Sequence, residues 1–266
     1  MGARELTFPP RLSACYREIE KITLSATAVR VNEAALSSWD RRQTLLTFAP
    51  PTIDTEEFLR VSSAVFDLLG TGLPELREKF AALKANLPAS PGAREGLVEA
   101  LLRRDPRAFT FLEGQVQVPA DFFAFAFSHV LRLFLGAFAK RVWEQVAVDC
   151  WGRGECPVCG NKPNFARIDP GGKRYLYCGL CGTEWRFVRG CCPFCGNTNP
   201  DGLGFYLFEE GAYRLETCAR CRGYLKTFDQ RKKKKDALSL FWEDIRTVPL
   251  DLTAMRLGFV NRAFSV

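Results

Sequence analysis

Eight cysteines form four Cys-x-x-Cys pairs within one stretch of 66 residues. The pairs are Cys156/Cys159, Cys178/Cys181, Cys192/Cys195 and Cys218/Cys221. Thiolate sulfur is a soft ligand, and four thiolates can surround one metal ion tetrahedrally and shut out solvent. Eight thiolates therefore predict two closed metal sites. Such sites fit a structural or redox role rather than hydrolysis, because hydrolysis needs an open coordination position.

A six-residue phrase is repeated in this stretch. Cys-Pro-Val-Cys-Gly-Asn begins at Cys156, and Cys-Pro-Phe-Cys-Gly-Asn begins at Cys192. Glycine follows the second cysteine in three of the four pairs, and it helps the backbone curl because it tolerates positive φ. The fourth pair has Arg222 in that place. Two copies of one module are the simplest interpretation.

Each copy predicts the same short β structure. Turn sequences at 170–172 and 209–212 separate two strand-like runs in each copy, and a third run follows the last cysteine pair. We predict strands at 164–169, 173–177 and 184–188, and again at 203–208, 213–217 and 224–228. Their aromatic residues are expected to cover a small core: Tyr175, Tyr177, Trp185, Phe187, Phe205 and Tyr206. We call the turn formed by each Cys-x-x-Cys pair a knuckle. A knuckle, a hairpin, a second knuckle and a strand together describe a zinc-ribbon or rubredoxin-like module.

The spacing of the pairs predicts which cysteines share a metal. Eighteen residues separate the first pair from the second, and 22 separate the third from the fourth, near the usual spacing of about 15–20 residues. A cross-braced arrangement, first pair with third and second with fourth, is the alternative, but it breaks the repeat. We expect two metal ions, iron or zinc, since both accept four thiolates. Site 1 comprises Cys156, Cys159, Cys178 and Cys181, and site 2 comprises Cys192, Cys195, Cys218 and Cys221.

Disulfide bonds are the other interpretation of these cysteines. They belong to oxidising compartments, whereas the first ten residues show no secretory signal, so we expect a cytoplasmic protein. Each module is also too small to build its own core, and bound metal can supply the missing stability. Three cysteines fall outside the pattern. We interpret Cys15 and Cys150 as buried apolar residues, while Cys191, beside a predicted ligand, could exchange or be oxidised.

The sequence before the cysteine pairs has a helical pattern. Asp54 is the expected N-cap of one helix, with Glu57 three residues later and apolar residues at helical spacing after it. Another helix is expected from Pro74, and others at 11–21, 32–46, 93–103 and 119–150. The last contains an 18-residue apolar run. Arg132 would lie near the middle of a membrane span, so we predict a buried bundle helix, with its phenylalanines in the core.

These patterns predict an α + small β fold. An N-terminal helical domain is followed by two tandem rubredoxin-like or zinc-ribbon modules and a C-terminal helix. Pro249 is expected to kink or split that last helix. The predicted boundaries are 1–151 for the helical domain, 152–189 for ribbon 1, 190–230 for ribbon 2 and 231–266 for the C-terminal helical segment.

The sequence has few residues in patterns typical of catalysis. His129 is the only histidine of the chain, and a lone histidine on an apolar helix is more often a hydrogen-bonded core residue than a catalyst. We find no phosphate-binding glycine loop and no nucleotide-binding fingerprint in the sequence. We therefore predict that the protein is not an enzyme.

The net charge of +7 favours nucleic acid at first sight. However, each tetrathiolate site with a divalent ion carries a charge of −2, so two sites take residues 151–230 from +3 to −1. A nucleic-acid-binding protein should instead show a basic stripe with exposed aromatic residues on the module that contacts the nucleic acid. The basic run at 231–235 is more typical of a solvated linker or a helix start. Nucleic-acid binding is therefore the weaker expectation.

The residues between the cysteines resemble those of a known family, the formate dehydrogenase accessory proteins (FdhE). The resemblance is carried by Cys156-Pro157-Val158-Cys159-Gly160, by 174–181 with Glu184-Trp185, by the pair Cys192/Cys195, and by 216–221 with 223–226. It implies a helical N-terminal domain, two rubredoxin-like metal modules and a C-terminal helix. It also implies a cytoplasmic accessory protein that binds the catalytic, molybdenum- or tungsten-containing subunit of a respiratory formate dehydrogenase before export by the twin-arginine route. Iron is linked with the metal sites of the family.

Two other functions are compatible with the cysteine pattern. One is a zinc-ribbon protein that binds nucleic acid, for which affinity should fall steeply with salt. The other is a rubredoxin-like redox protein, which requires a reversible chromophore or a thiol titration.

Overall fold

The computed structural model describes residues 9–112, 118–143, 151–235 and 238–264. They fall into two compact units. The helical unit contains the described residues within 9–38 and 46–142, and the sheet unit contains residues 39–45 and the described residues from 143 onwards. The domain boundaries given above stay predictions.

Seven α-helices precede the cysteine pairs in the part of the chain described. They are α1 (Pro10–Glu20), α2 (Glu33–Ser37), α3 (Leu45–Phe48), α4 (Thr55–Gly72), α5 (Arg77–Ala85), α6 (Pro91–Arg103) and α7 (Ala120–Trp143). Helix α4 begins as predicted, because the Asp54 side chain accepts a hydrogen bond from the Glu57 backbone N–H at 3.0 Å. Two short strands, β1 (Val29–Arg30) and β2 (Thr52–Ile53), pair antiparallel within the helical unit.

The prediction of one continuous helix over 32–46 is wrong. Asn32 caps α2, accepting a hydrogen bond from the Ala35 N–H, but α2 ends at Ser37. Arg41 has a φ of 63°, in the left-handed region, which a right-handed helix excludes. Residues 39–45 belong instead to the sheet unit, so tertiary contacts outweigh the helical pattern there.

Helix α7 is the apolar helix of the sequence. By length and composition it could cross a membrane: its most apolar 18-residue window has a mean hydropathy of 1.7, and 56% of that window is buried in the structure. Its rings pack within the helical unit. The Phe134 centroid lies 5.3 Å from Phe58, and Phe127 meets Phe66 edge-on at 5.2 Å. This burial agrees with the prediction of a bundle helix. The predicted continuation at 144–150 lies outside the described residues.

The six predicted strands of the cysteine region are present and form one sheet. They are β3 (Phe165–Ile168), β4 (Arg174–Tyr177), β5 (Glu184–Arg186), β6 (Leu203–Phe208), β7 (Tyr213–Cys218) and β8 (Tyr224–Asp229). Their order in the sheet is β5-β4-β3-β8-β7-β6. Neighbours are antiparallel except β3 and β8, which run parallel, with Phe165 opposite Lys226. The two ribbon modules therefore share one sheet, joined through β3 and β8.

Two further helices follow the sheet, α8 (Leu240–Arg246) and α9 (Val248–Arg256). Pro249 lies in the first turn of α9, so it separates the two helices as expected. The first residues of the predicted helical stretch, 236 and 237, lie outside the described part. Leu240 and Leu250 pack on a cluster that includes Phe165 and Phe228, one from each module. The C-terminal helices thus cover the junction of the modules.

The predicted aromatic core is only partly correct. Trp185, Tyr177 and Phe187 are buried, but Phe205 is 59% exposed and Tyr206 is 44% exposed. Both lie on β6, which is an edge strand of the sheet. An alternating pattern does not reveal whether a neighbouring element covers a strand, and here most of β6 is left uncovered.

Candidate metal centres

The repeated phrase folds into the same turn in both copies. The Cys156 N–H donates to the Asn161 carbonyl at 2.8 Å, and the Gly160 N–H donates back to the Cys156 carbonyl at 2.9 Å. Cys192 and its successors form the equivalent pair of bonds, both at 2.9 Å. Gly160 has a φ of 74°, which glycine adopts without the clash that a Cβ would cause. These bonds turn the two sulfurs of each knuckle to one side.

Site 1 gathers the four cysteines predicted for it. All four sulfurs lie within 4.8 Å of one another, and all four residues are buried. The two closest contacts between knuckles are Cys156 Sγ to Cys181 Sγ at 3.5 Å and Cys159 Sγ to Cys178 Sγ at 3.4 Å. The Thr183 hydroxyl lies 3.0 Å from Cys181 Sγ, close enough to donate to a thiolate.

Site 2 has the same plan but is more open. Its sulfurs also lie within 4.8 Å of one another, with Cys192 and Cys218 buried but Cys195 and Cys221 only partly so. Both shortest sulfur–sulfur contacts, Cys192 to Cys221 and Cys195 to Cys218, measure 3.7 Å. The Asn197 amide donates to Cys218 Sγ at 3.7 Å. The structure thus joins pair one with two and pair three with four, rather than cross-bracing them.

These distances fit a tetrahedral metal better than a disulfide. Metal–sulfur bonds of about 2.3 Å place the sulfurs of a tetrahedron about 3.8 Å apart, whereas a disulfide bond is about 2.0 Å long. The observed contacts of 3.4–3.7 Å lie close to the first value. Burial raises the pKa of the Cys156 thiol, so a bound cation would be needed to stabilise thiolates at this site. Both groups of cysteines could therefore hold a metal ion.

Hydrogen bonds to the Cys218 thiol of site 2 favour its ionisation. Burial raises its pKa, but hydrogen bonds from the Cys221 backbone and from the Cys195 and Asn197 side chains outweigh burial and lower the pKa to about 7. Donors aimed at sulfur stabilise thiolate charge. A thiolate is the form that a metal needs.

A segment distant in sequence supports the first knuckle. The Leu45 N–H donates to the Pro157 carbonyl at 2.9 Å, and Trp39 stacks on Trp151 with centroids 5.7 Å apart. Thr44 lies beside Gly160, 3.3 Å from where a Cβ would be. Sequence reasoning missed this support, since no local pattern in residues 39–45 points to a contact more than 100 residues away.

Comparison with known proteins shows the family of this chain. The profile described as "FdhE, central domain" matches residues 155–189. A protein named "Protein FdhE homolog" from Pseudomonas aeruginosa is 32% identical over 228 residues, which cover 74% of this chain and 68% of that protein. The chain belongs to the FdhE family.

Other similarities agree with this assignment. The "Protein FdhE homolog" of Aquifex aeolicus is 36% identical over 157 residues, 57% of this chain and 53% of that protein. That match spans about half of the relative's length. A solved structure is described as the crystal structure of the FdhE protein from Pseudomonas aeruginosa. Its match with this chain covers 95% of this chain and 85% of the solved chain, with a TM-score of 0.60 and 21% identity. This likeness supports the fold and confirms the predicted fold class.

The other cysteines of this FdhE family member lie apart from the two clusters. Cys15 is buried and its Sγ donates to the Leu68 carbonyl at 3.2 Å, while burial raises the pKa of its thiol. It is thus the buried small residue that was expected. Cys191 is partly exposed, and Cys192 takes the place in site 2. Cys150 lies outside the described residues.

His129 has structural partners in the helical unit. One ring nitrogen lies 2.9 Å from the Phe125 carbonyl and the other 3.3 Å from the Tyr16 hydroxyl. Burial is the main reason that its pKa falls to about 4, so the ring is neutral at pH 7. A neutral ring bonded on both sides matches the expected core residue.

Proposed function

We propose that this chain is a cytoplasmic, non-catalytic accessory factor that binds the catalytic subunit of a respiratory formate dehydrogenase during its maturation, before export. Membership of the FdhE family is the observation that carries the proposal. The partner, molybdenum- or tungsten-containing, comes from what the family resemblance implies. The gathering of eight thiols into two clusters supports it, because the motif residues that carry the resemblance also build the sites.

We assign the metals mainly to holding the sheet unit together. Cys156, Cys159, Cys178 and Cys181 would hold one ion of iron or zinc, and Cys192, Cys195, Cys218 and Cys221 another. Each ion links the knuckle before a hairpin to the knuckle after it, much as a covalent crosslink would. Four thiolates would fill the tetrahedral coordination of each ion and leave no position on the metal for substrate, which supports a non-catalytic role.

Ion pairs within the chain weaken the case for nucleic-acid binding by the basic run at 231–235. Three of its five residues are committed to acidic partners within the sheet unit. The pairs are Arg231–Asp229 at 2.7 Å, Lys233–Glu209 at 3.0 Å and Lys235–Glu243 at 2.6 Å. Both Asp229 and Glu243 have fully buried side chains, so two of these cations compensate buried carboxylates. A phosphate backbone would have to compete with those partners.

The openness of site 2 favours one second function, a redox centre. Cys195 and Cys221 reach the surface, whereas all four ligands of site 1 are buried. Solvent exposure is one of the factors that set the potential of iron–thiolate centres. An iron-loaded protein should then show a visible absorption that bleaches on reduction and returns on oxidation. A protein loaded with zinc alone, and colourless, removes this alternative.

Anaerobic capture tests the main proposal. The affinity-tagged, metal-loaded chain is incubated with an extract containing the immature catalytic subunit, and in parallel with the mature formate dehydrogenase and an unrelated molybdenum enzyme. We expect the immature subunit to be retained and the unrelated enzyme to pass through. Failure to retain the immature subunit contradicts the proposal, and so does equal retention of the immature subunit and the unrelated enzyme. Double replacement of Cys192 and Cys195 by serine separates binding that needs site 2 from binding that does not.

A further inference from the structure

The fourth knuckle departs from the repeat at one position. Gly160, Gly182 and Gly196 follow the other knuckles with φ values of 74°, 74° and 70°. Arg222 takes the same left-handed conformation with a φ of 59°, although a side chain disfavours it. A strained residue persists only where its surroundings hold it in place. The contacts of the Arg222 side chain show what holds it.

Arg222 caps the end of helix α9. Its Nη2 donates to the Gly258 carbonyl at 2.9 Å and to the Leu257 carbonyl at 3.3 Å, and its Nε donates to Gly258 at 3.2 Å. The guanidinium also lies 4.6 Å from the centroid of the Phe259 ring. A cation at a helix C-terminus satisfies carbonyls that have no partner within the helix and interacts favourably with the helix dipole.

The backbone of this knuckle binds the chain beyond α9. The Val260 N–H donates to the Arg222 carbonyl at 2.8 Å, and Gly223 forms a parallel bridge with Val260. Arg262 donates to the carbonyl of Cys221, itself a site 2 cysteine. We call residues 257–263 the C-terminal latch.

The space for this contact is tight. A Cβ on Gly223 would lie 3.0 Å from the Arg262 side chain and 3.2 Å from Cys221 Sγ. A Cβ on Gly258 would lie 2.8 Å from Arg222 Nη2. Both glycines therefore permit a close approach of the latch to the knuckle. The latch in turn packs Phe259 against a small cluster of Leu215, Tyr224 and Ala254.

We propose that metal binding at site 2 and docking of the C-terminal latch are coupled. Metal held by Cys218 and Cys221 fixes the knuckle in the conformation that presents the Arg222 carbonyl and side chain to the latch. Loss of the metal frees the knuckle, Arg222 leaves its left-handed conformation, and residues 257–263 detach. Linkage makes the effect reciprocal, so the docked latch also raises the affinity of site 2 for its metal. The proposal rests on metal binding at site 2 and is independent of the formate dehydrogenase partner.

Hydrogen exchange on the purified, metal-loaded chain tests the first direction. Cys195→Ser removes a site 2 ligand from the third knuckle rather than from the fourth, which binds the latch, and Cys181→Ser is the matched change in site 1. We expect the amide of Val260 to exchange about tenfold faster in C195S and at the wild-type rate in C181S. The Cys178 amide, bonded to Thr183 at 2.9 Å within site 1, should stay protected in C195S. Equal exchange of Val260 in C195S and the wild type overturns the coupling.

A second variant keeps the test decisive if C195S does not fold. Arg222→Gly restores the residue that the other three knuckles have, so the knuckle itself is preserved while the side-chain hydrogen bonds to Leu257 and Gly258 are lost. Arg220→Ala removes a charge from an exposed neighbour in the same knuckle as the control. We expect R222G to bind two metals, but to hold one of them about tenfold more weakly in equilibrium competition with a chelator, with Val260 exchanging faster. Metal affinities in R222G equal to those in R220A and the wild type overturn the proposal. Since only this chain is measured, its failure is distinct from a failure to capture formate dehydrogenase.

Discussion

Arg174 and Glu216 form an ion pair between the two ribbon modules, with Nη2 and Oε2 2.5 Å apart. Arg174 begins β4 and Glu216 lies in β7, two strands that are not neighbours in the sheet. The arginine side chain is only 3% exposed. It also donates to the Cys191 carbonyl at 3.0 Å, next to the third knuckle. Both residues belong to the segments that carry the family resemblance, and the structure gives them a role in joining the modules.

Replacing Arg174 should therefore destabilise the sheet unit. Arg174→Met leaves a partly buried carboxylate without its partner, which costs about 3 kcal/mol. For a chain of this size the expected fall in Tm is roughly 6–12 °C. Glu18→Gln removes an exposed pair with Lys21 and is the control, with an expected change below about 2 °C. Thermal unfolding of the metal-loaded proteins gives both values, and equal Tm values for the two variants would argue against a link through Arg174.

Local sequence predicted the modules but not their junction. Knuckles, hairpins and the Asp54 cap depend on residues a few positions apart, and the structure reproduces them. The parallel pairing of β3 with β8 joins residues about 60 positions apart. A strand pattern specifies which residues face a core, but not which strand lies beside it. The Arg174–Glu216 pair depends on that junction, so the local sequence did not predict it either.

Trp185 and Phe205 separate the true core from the predicted one. Trp185 is fully buried and donates from its ring to the Arg153 carbonyl at 3.0 Å. Trp185→Ala should cost about 3–5 kcal/mol. Phe205→Ala on the exposed edge strand should change the free energy of unfolding by no more than about 0.5 kcal/mol. Thermal or urea unfolding would reveal the difference, and a large loss in F205A would mean that β6 is covered.

Asp229 should make stability depend on acid pH. Hydrogen bonds from Arg231 are the main reason that its pKa lies below 3.8, with the charge of Arg214 adding to them. A carboxyl whose pKa is lower in the folded state stabilises the fold above its unfolded pKa, and this stabilisation is lost as pH falls through the folded pKa. Asp229→Asn should cost about 2 kcal/mol at pH 7.

The pH series provides its own control. Acid also displaces metal from thiolates, but it does so in the wild type and in D229N alike. The difference in Tm between the two proteins therefore reports Asp229, and it should shrink as the pH is lowered below about 4. A difference that stays constant from pH 7 to pH 3 would show that the Asp229 charge does not contribute.

The two metals should leave at different rates. Site 2 has two partly exposed cysteines, whereas every cysteine of site 1 is buried, so we expect a chelator to reach site 2 first. We expect release in two phases of one metal each. Cys195→Ser should abolish the fast phase and Cys159→Ser the slow one. A single phase for both metals, or the reverse assignment of the variants, would contradict the difference in access.

Metal identity lies beyond what either sequence or fold determines, because iron and zinc accept the same four thiolates in the same geometry. The spacing of the pairs did predict the two sets of sulfurs that the structure brings together. The difference in burial between the sets was not predictable, since it depends on which elements cover each knuckle.

Metal stoichiometry tests the central claim most directly. The chain is purified without oxygen, and its mass is measured under non-denaturing conditions, with elemental analysis of the same sample. We expect two ions of iron or zinc per chain, and one ion in each of the double variants Cys156→Ser/Cys159→Ser and Cys192→Ser/Cys195→Ser. A metal-free wild-type chain, or two ions retained by either double variant, would contradict two separate tetrathiolate sites.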